Sequence, residues 1–256
     1  MTSEPRKIDV LLAVREPAPW LRETLVSLTE QTFHDFRLVL VIHGPDRNTS
    51  SLVKRYFPDT LILHCSEELT LPEVRAFGLS NCSAPLVALT DADDVSHPDR
   101  LAKQSAYLNA NQNVAMVSSP MGIIDAESNP LHGQRGARSS RFFLYRLLLR
   151  NVIGQSSVMM RREVAEQCGS YRNQTIGVED YDLWLRIGAR SRIEVLPEIC
   201  VSYRVHISQT SRNTKITSES LQKVRESRVV LARTLRVPKY MVYFMHQVWA
   251  RSQQSS

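Results

Sequence analysis

The sequence predicts an α/β fold: a three-layer α/β/α sandwich around a mostly parallel, Rossmann-like sheet, followed by a C-terminal helical extension. Two observations carry this reading. Brief apolar runs bounded by turn formers alternate with segments whose apolar residues recur at helical spacing, the rhythm of right-handed βαβ units. One of those runs, starting at Pro85, ends abruptly in Asp91, Asp93 and Asp94. In sheets of this kind ligands sit beyond the carboxyl ends of strands, near a switch in strand order. The 256 residues are ample for one large core. The division expected is a main domain over 1–210 and a helical extension over 211–256 with a disordered polar end.

Ile8 to Val14 is a continuous apolar run and makes the first strand. Pro17, Pro19 and Trp20 start a helix with Leu21, Leu25 and Leu28 on one stripe. Phe36 to Ile42 is a second buried strand, and His43-Gly44-Pro45-Asp46 is its turn. A short helix over Leu52 to Phe57, a third strand over Thr60 to His64 and a helix over Leu71 to Leu79 lead to the strand at Pro85. Pro98 to Asn111 is helical and Val114 to Ile124 extended. Asn129 to Arg141 is polar, basic and Gly-containing, a loop suited to cover a site. Arg141 to Arg150 is helical, Ser156 to Met160 a strand, and Arg161 to Cys168 a helix ended by Gly169-Ser170. Asp180 to Ala189 is helical, and Ile193 to Val205 is extended except at Pro197. Ser218 to Leu235 forms a basic amphipathic helix carrying Leu221, Val224, Leu231 and Leu235.

Along an extended chain Asp91 and Asp93 point the same way and Asp94 points away. Two carboxylates side by side repel each other unless a cation neutralises them. Hard oxygen ligands of this kind suit Mg or Mn, which take one or two carboxylates and complete their shell with substrate phosphates. The plain alternative is an Asp-rich turn capping the helix that starts near His97-Pro98-Asp99-Arg100.

Composition narrows the function classes. A net charge of +6 and a pI near 9.3 favour anionic partners: nucleotide phosphates, anionic glycans, a membrane surface or nucleic acid. Glu4 and Asp9 lie around the apolar run Val10 to Val14, which does not read as a secretory leader, and no stretch approaches the roughly 20 apolar residues of a membrane span. Cys65, Cys82, Cys168 and Cys200 lie far apart without a metal-binding pattern, as expected of reduced thiols in a cytoplasmic protein. No G-x-G-x-x-G follows any strand, which argues against a dehydrogenase. A nucleotidyltransferase is the nearest competing enzyme class, but AVREPAP after the first strand has neither the Gly nor the Lys of a phosphate loop. A basic binding module built on Arg212 to Arg236 is a third reading; its charges spread around the helix, so no nucleic-acid partner is expected.

Five segments in order resemble the family 2 glycosyltransferases, nucleotide-sugar-dependent enzymes of the GT-A fold. They are IDVLLAVREPAPWLRETLVSLTEQTFHDFRLVLVI, LPEVRAFGLSNCSAPLVALTDADD, NVIGQSSVMMRREVAEQCGSYRN, VEDYDLWLRIGAR and LPEICVSYRVH, covering about Ile8 to His206. The resemblance implies transfer of a sugar from a nucleotide-diphosphate donor to a glycan or lipid-linked acceptor hydroxyl, with inversion, in polysaccharide or cell-surface glycan biosynthesis, assisted by Mn or Mg. It makes Asp93 the direct metal ligand, with Asp91 on the ribose or a metal-bound water, and His206 a third ligand or a structural residue. Asp180 is the implied base, with Glu179 orienting it or binding acceptor. Donor contacts are implied for Ala13, Arg15, Glu16, Arg75 and Ala92, with a surface role the alternative for Arg75. On the acceptor side are Gln155, where the family often has His, and Asp94, which contacts sugar or caps the next helix. Trp184 stacks on a sugar or packs in the core. His43 stands where the family often has an acidic residue for the nucleobase; either Asp46 substitutes for it or base recognition differs. Tyr240 to Trp249 has three uses open to it: packing on the domain, a homodimer contact, or peripheral contact with the inner membrane face.

Overall fold

The computed structural model describes residues 6–136, 142–209 and 214–254. The chain opens with β1 (Ile8–Val14), α1 (Leu21–Thr29), β2 (Phe36–His43), α2 (Thr49–Tyr56), β3 (Leu61–Cys65), α3 (Leu71–Ser80) and β4 (Leu86–Asp91). A capping box starts α3, where the Glu73 carboxylate accepts from the Thr70 amide and Pro72 sits in the first turn. Then come β5 (Val95–Ser96), α4 (Arg100–Ala110), β6 (Val114–Ser118), β7 (Met121–Ile124), β8 (Pro130–Arg135) and α5 (Phe143–Leu149). A single 3₁₀ turn at Gln155–Ser157 leads into β9 (Met159–Arg161), α6 (Arg162–Gln167), α7 (Glu179–Arg190), β10 (Arg192–Val195) and β11 (Val201–Arg204). Two helices follow, α8 (Ser218–Thr234) and α9 (Lys239–Gln254).

Among the described residues the strands form two sheets. The larger has the order β10-β6-β9-β4-β1-β2-β3, in which β9 runs antiparallel to both its neighbours and the other pairs are parallel. Side-chain alternation along β1 splits the core in two. Ile8, Val10, Leu12 and Val14 pack with Leu21, Leu25, Leu28, Val53 and Leu101 on the α1, α2 and α4 face. Leu11, with Val39, Val41, Val87 and Leu89, packs on the other face with residues of α3, α5, α7, α8 and α9. Helices on both faces make the expected three layers. The order reverses at β1, from which the chain runs outward through β2 and β3 and returns on the other side as β4. The smaller sheet, β5-β11-β7-β8, sits beside this switch point and carries the chain past the Asp turn.

Three local readings are corrected. Val114 to Ile124 is two strands, broken at Ser119-Pro120, because proline has no N–H for the ladder and the chain changes sheet there. The polar segment expected to be a loop contains β8, whose six residues are all exposed; it pairs with β7 through its backbone, so its composition carries no burial signal. Residues 137–141, including Arg141 at the expected helix start, and residues 210–213, including Arg212, lie outside the described residues. Gln155, Ser156 and Ser157 form the 3₁₀ turn, which shortens the strand expected there to β9. Beyond the main sheet, α8 buries Leu221, Val224, Leu231 and Ala232, and α9 buries Val242. The four cysteines are unpaired, and Cys82, Cys168 and Cys200 are buried. No helix among the described residues is long and apolar enough to cross a membrane.

Candidate active site

A cleft of about 940 Å³ opens at the carboxyl ends of β1, β2 and β4, over the switch in strand order. Asp91, the last residue of β4, is in register with Ala13 of β1, which brings the Asp turn beside the segment after the first strand. Ala13, Arg15, Glu16, His43, Arg75, Asp91, Ala92, Asp93, Gln155, Glu179, Asp180 and His206 all border this space. The structure therefore brings together most of the residues expected of the site.

Arg75, reaching up from α3, ties the two acidic motifs to each other. Its guanidinium pairs with Glu179 through Nη1 and lies 3.3 Å from Asp91 Oδ1 through Nη2, with only 14% of the side chain exposed. Burial works against its charge, yet Glu179 and Asp91 outweigh it and hold its pKa above the usual value. The surface-Arg alternative is thereby removed, and the direct partners of Arg75 are carboxylates. Ser156 Oγ donates to Asp91 Oδ2 at 2.9 Å.

Asp93 has a different partner. Its Oδ2 lies 2.9 Å from His206 Nε2, while His206 Nδ1 is 2.9 Å from Ser208 Oγ. The Trp20 ring rests on the imidazole at a centroid distance of 4.2 Å. Burial and then the neighbouring Asp91 charge push the Asp93 carboxyl above its ordinary pKa, with His206 pulling the other way. A carboxylate pair under that repulsion fits a divalent cation. Among the described residues no cluster of three or more His, Cys, Asp and Glu side chains is arranged to hold one unaided, so the fit is for an ion completing its shell with substrate phosphates.

Across the cleft, Asp180 lies in the first turn of α7. Asn151 Nδ2 donates to its Oδ2 at 3.0 Å, and the Tyr181 amide donates to its Oδ1 at 2.6 Å. Burial raises its pKa, and Arg75 opposes that rise. Glu179 is 3% exposed; burial likewise raises its pKa against Arg75, and its Oε2 has no partner among the described residues. The turn into this helix passes through Gly177 at φ +78°, where a side chain would press on Thr214 and Ile216.

Three expected site residues stand elsewhere. Asp94 is 1% exposed and does not border the cleft; it accepts from the Arg204 amide at 3.0 Å, shares the one Ser156 hydroxyl with Asp91, and caps no helix. Its carboxyl lies well above the ordinary pKa through burial and then the charges of Asp93 and Asp91. β4 ends at Asp91 and the chain turns through Ala92 and Asp93, so the extended alternation expected of the three carboxylates does not set the direction of Asp94; the turn carries it into protein, where it meets Ser156 beside Asp91. Trp184 is wholly buried in the core, so it stacks on no sugar. Asp46 lies outside the cleft lining, its carboxylate bonded to the Ser50 amide and hydroxyl in the first turn of α2. Glu16 borders the cleft, but Oε1 accepts from the Arg47, Asn48 and Thr49 amides at 3.2 Å each and caps the same helix. His43 keeps Nε2 buried and without a partner among the described residues.

Sequence reasoning passed over several contributors. Arg204 is fully buried in β11; its Nε donates to the Asp93 carbonyl at 2.9 Å and its Nη2 pairs with Glu23 of α1 at 2.7 Å, fixing the Asp turn to the small sheet. Beneath β4, buried Arg100 donates to the Leu89 and Val158 carbonyls and to Ser96, and burial lowers its pKa to about 10. Trp20, Asn151, Trp249 and Gln253 also border the cleft. An Arg in an alternating strand and an Asn in a loop carry no sequence signal of this kind; their roles come from tertiary placement.

The sequence profile described as "Glycosyl transferase family 2" matches residues 10–169. The chain is 25% identical over 237 residues to the O-antigen biosynthesis glycosyltransferase WbnJ of Escherichia coli, spanning 87% of this chain and 91% of that protein. Its fold is similar to the crystal structure of S. aureus TarS 1-349 in complex with UDP-GlcNAc, with TM-score 0.73 and 15% identity over 94% of this chain and 70% of that one. It is also similar to the mannosyltransferase PcManGT from Pyrobaculum calidifontis in complex with GDP-Man and Mn2+, with TM-score 0.60 and 17% identity over 98% and 85% of the two chains. At these identities the two structures bear on the fold alone.

Proposed function

Because the chain belongs to glycosyl transferase family 2 and is a glycosyltransferase of GT-A fold, we propose that it moves a sugar from a nucleoside diphosphate donor to an acceptor hydroxyl by one in-line displacement, with inversion at the anomeric carbon. The observation that carries this reading is the placement of Asp180 across the cleft from Asp91 and Asp93, with Arg75 between the two sets of carboxylates.

Asp93, backed by His206, is the proposed holder of a divalent metal, and Asp91 faces the same space. A Mg or Mn ion bound there with the donor would neutralise charge gathering on the departing nucleoside diphosphate. The chain's own groups supply the rest. As the acceptor oxygen bonds to the anomeric carbon, Asp180 takes its proton on a carboxylate oxygen. The bond from that carbon to the diphosphate oxygen breaks, and its electron pair leaves with the nucleoside diphosphate. Asn151 and the Tyr181 amide fix the Asp180 carboxylate, and Arg75 does the same for Glu179. Glu179 lines the cleft, and its buried Oε2 has no partner among the described residues. Arg15 and His43 border the donor end of the cleft, where the unsatisfied His43 Nε2 fits a polar edge of the nucleobase.

The relatives support the substrate class without fixing it. The two similar structures hold UDP-GlcNAc and GDP-Man with Mn2+, which supports a nucleotide-sugar donor and a divalent ion here. The name of the E. coli relative supports a place in cell-surface polysaccharide synthesis, with a glycan or lipid-linked acceptor. Exposed Tyr240, Met241, Phe244 and Val248 on the outer side of α9, with Lys239 and Arg251, support peripheral contact with an anionic membrane surface at the cytoplasmic face.

A thermal-shift panel of nucleoside diphosphates and nucleotide sugars, with and without Mn, tests the reading. A ligand that binds only the folded chain raises Tm. One nucleotide family is expected to do so in a Mn-dependent way, Asp93→Ala to lose the Mn-dependent part, and Asp180→Asn to keep binding while transfer stops. Absence of a shift with every donor would sink the proposal.

A further inference from the structure

The wall of the cleft beyond Asp180 does not come from the segment matched by the family profile. It comes from α9, which begins 70 residues after that match ends. Trp249 and Gln253 border the same space as Asp180, Glu179 and Asn151. We propose that Trp249 and Gln253 form the acceptor-sugar subsite, the indole packing against the C–H face of a pyranose ring and the Gln253 amide meeting its hydroxyls.

Position and rigidity carry this assignment. Trp249 stands edge-on to Tyr181, the neighbour of the proposed base, at a centroid distance of 5.6 Å and an interplanar angle of 64°. In-line displacement brings the acceptor in from the base's side, opposite the leaving diphosphate, so groups beside Asp180 and away from Asp93 meet the acceptor. The indole is also held before any ligand arrives. The Arg228 guanidinium lies 4.3 Å from its centroid, and Arg228 is itself fully buried, with bonds to Tyr181 Oη at 2.9 Å and the Leu149 carbonyl at 3.0 Å. A pre-fixed aromatic surface loses little entropy on binding. The other two tryptophans are excluded by position: Trp184 is wholly buried, and Trp20 rests on His206 on the metal side. The inference rests on the reading that the donor occupies the Asp91–Asp93 side.

The three tryptophans provide the test. Protein labelled with 5-fluorotryptophan gives one ¹⁹F signal per tryptophan, assigned with Trp20→Phe, Trp184→Phe and Trp249→Phe. It is titrated with the methyl pyranosides of the common hexoses and N-acetylhexosamines, and separately with UDP and GDP in Mg. At least one pyranoside is expected to move the Trp249 signal at millimolar concentration and leave Trp184 still, while a nucleoside diphosphate moves Trp20. A Trp249 signal that no pyranoside moves, or that the nucleoside diphosphate moves as far, overturns the inference. A Trp20 signal deaf to every nucleotide indicts the donor reading instead. With the responding pyranoside as acceptor, Trp249→Ala is expected to raise acceptor KM about tenfold with donor KM as in the parent, and Trp249→Phe to recover part of the loss. A rise in donor KM equal to the rise in acceptor KM would mark Trp249 as merely structural and overturn the inference.

Discussion

At the residue scale, the site is a problem in holding several carboxylates close together. Arg75 solves half of it by neutralising Glu179 and Asp91 at once. Arg75→Met removes the partner of a buried Glu179, so unfolding in urea is expected to show a loss of about 3 kcal/mol, together with loss of transfer. A variant as stable as the parent would refute the pairing. Asp180 carries a separate prediction. Its pKa is raised above 3.8 by burial, so the base is lost as pH falls through that raised value, and the acid limb of kcat/KM should lie above 3.8. A limb at or below 3.8 would remove Asp180 as the base. Asp94 tests the other half. Its folded-state pKa is raised, so its contribution to stability is fully present below the unfolded value and is lost as pH rises through the folded one. Asp94→Asn keeps an acceptor for the Arg204 amide without the charge, so its Tm relative to the parent should rise as pH increases from the unfolded carboxyl value toward the raised folded one. A difference independent of pH would mean that Asp94 is not under the repulsion described.

At the scale of elements, what the sequence made legible is what local pattern encodes. β1 runs from Ile8 to Val14 as read, and β4 ends at the Asp turn, because short apolar runs bounded by turn formers leave little choice. The acidic start of α7 was legible from its residue types, whereas the alternation expected over Asp91, Asp93 and Asp94 was not realised, because the chain leaves the strand at Asp91 and turns, and Asp94 meets the same Ser156 as Asp91. β8 was not, since a strand exposed along its whole length has no hydrophobic alternation to show. Trp184 and Trp249 look alike in sequence, each in an aromatic-containing helix. Only packing separates them, one sealed between α7 and the sheet and the other clamped by Arg228 at the cleft. The outer face of α9 makes a prediction of its own. Tyr240 and Phe244 are 73% and 69% exposed, so replacing both by Glu should leave the unfolding free energy in urea within about 0.5 kcal/mol and abolish co-sedimentation with vesicles containing phosphatidylglycerol. Equal pelleting of parent and variant would dismiss the membrane contact, and a change in sedimentation coefficient in its place would point to self-association.

At the scale of the whole molecule, the three-layer architecture follows from the strand and helix rhythm, while the active centre depends on how distant pieces converge. Arg204 of β11 holds the Asp turn against α1, and Arg75 holds that turn to α7, so the small sheet, the large sheet and the helical layer meet at the same few carboxylates. The cleft takes Ala13 from the first strand and Gln253 from the helix at the other end of the described chain. That span has a consequence for synthesis on the ribosome. A nascent chain stopped before Trp249 has emerged carries the Asp turn, Asp180 and His206 in its sequence, yet it lacks both the part of the cleft lining that α9 supplies and the Val242 that α9 buries in the core. The last helix to leave the ribosome therefore completes the packing of the helical layer and the outline of the cleft together.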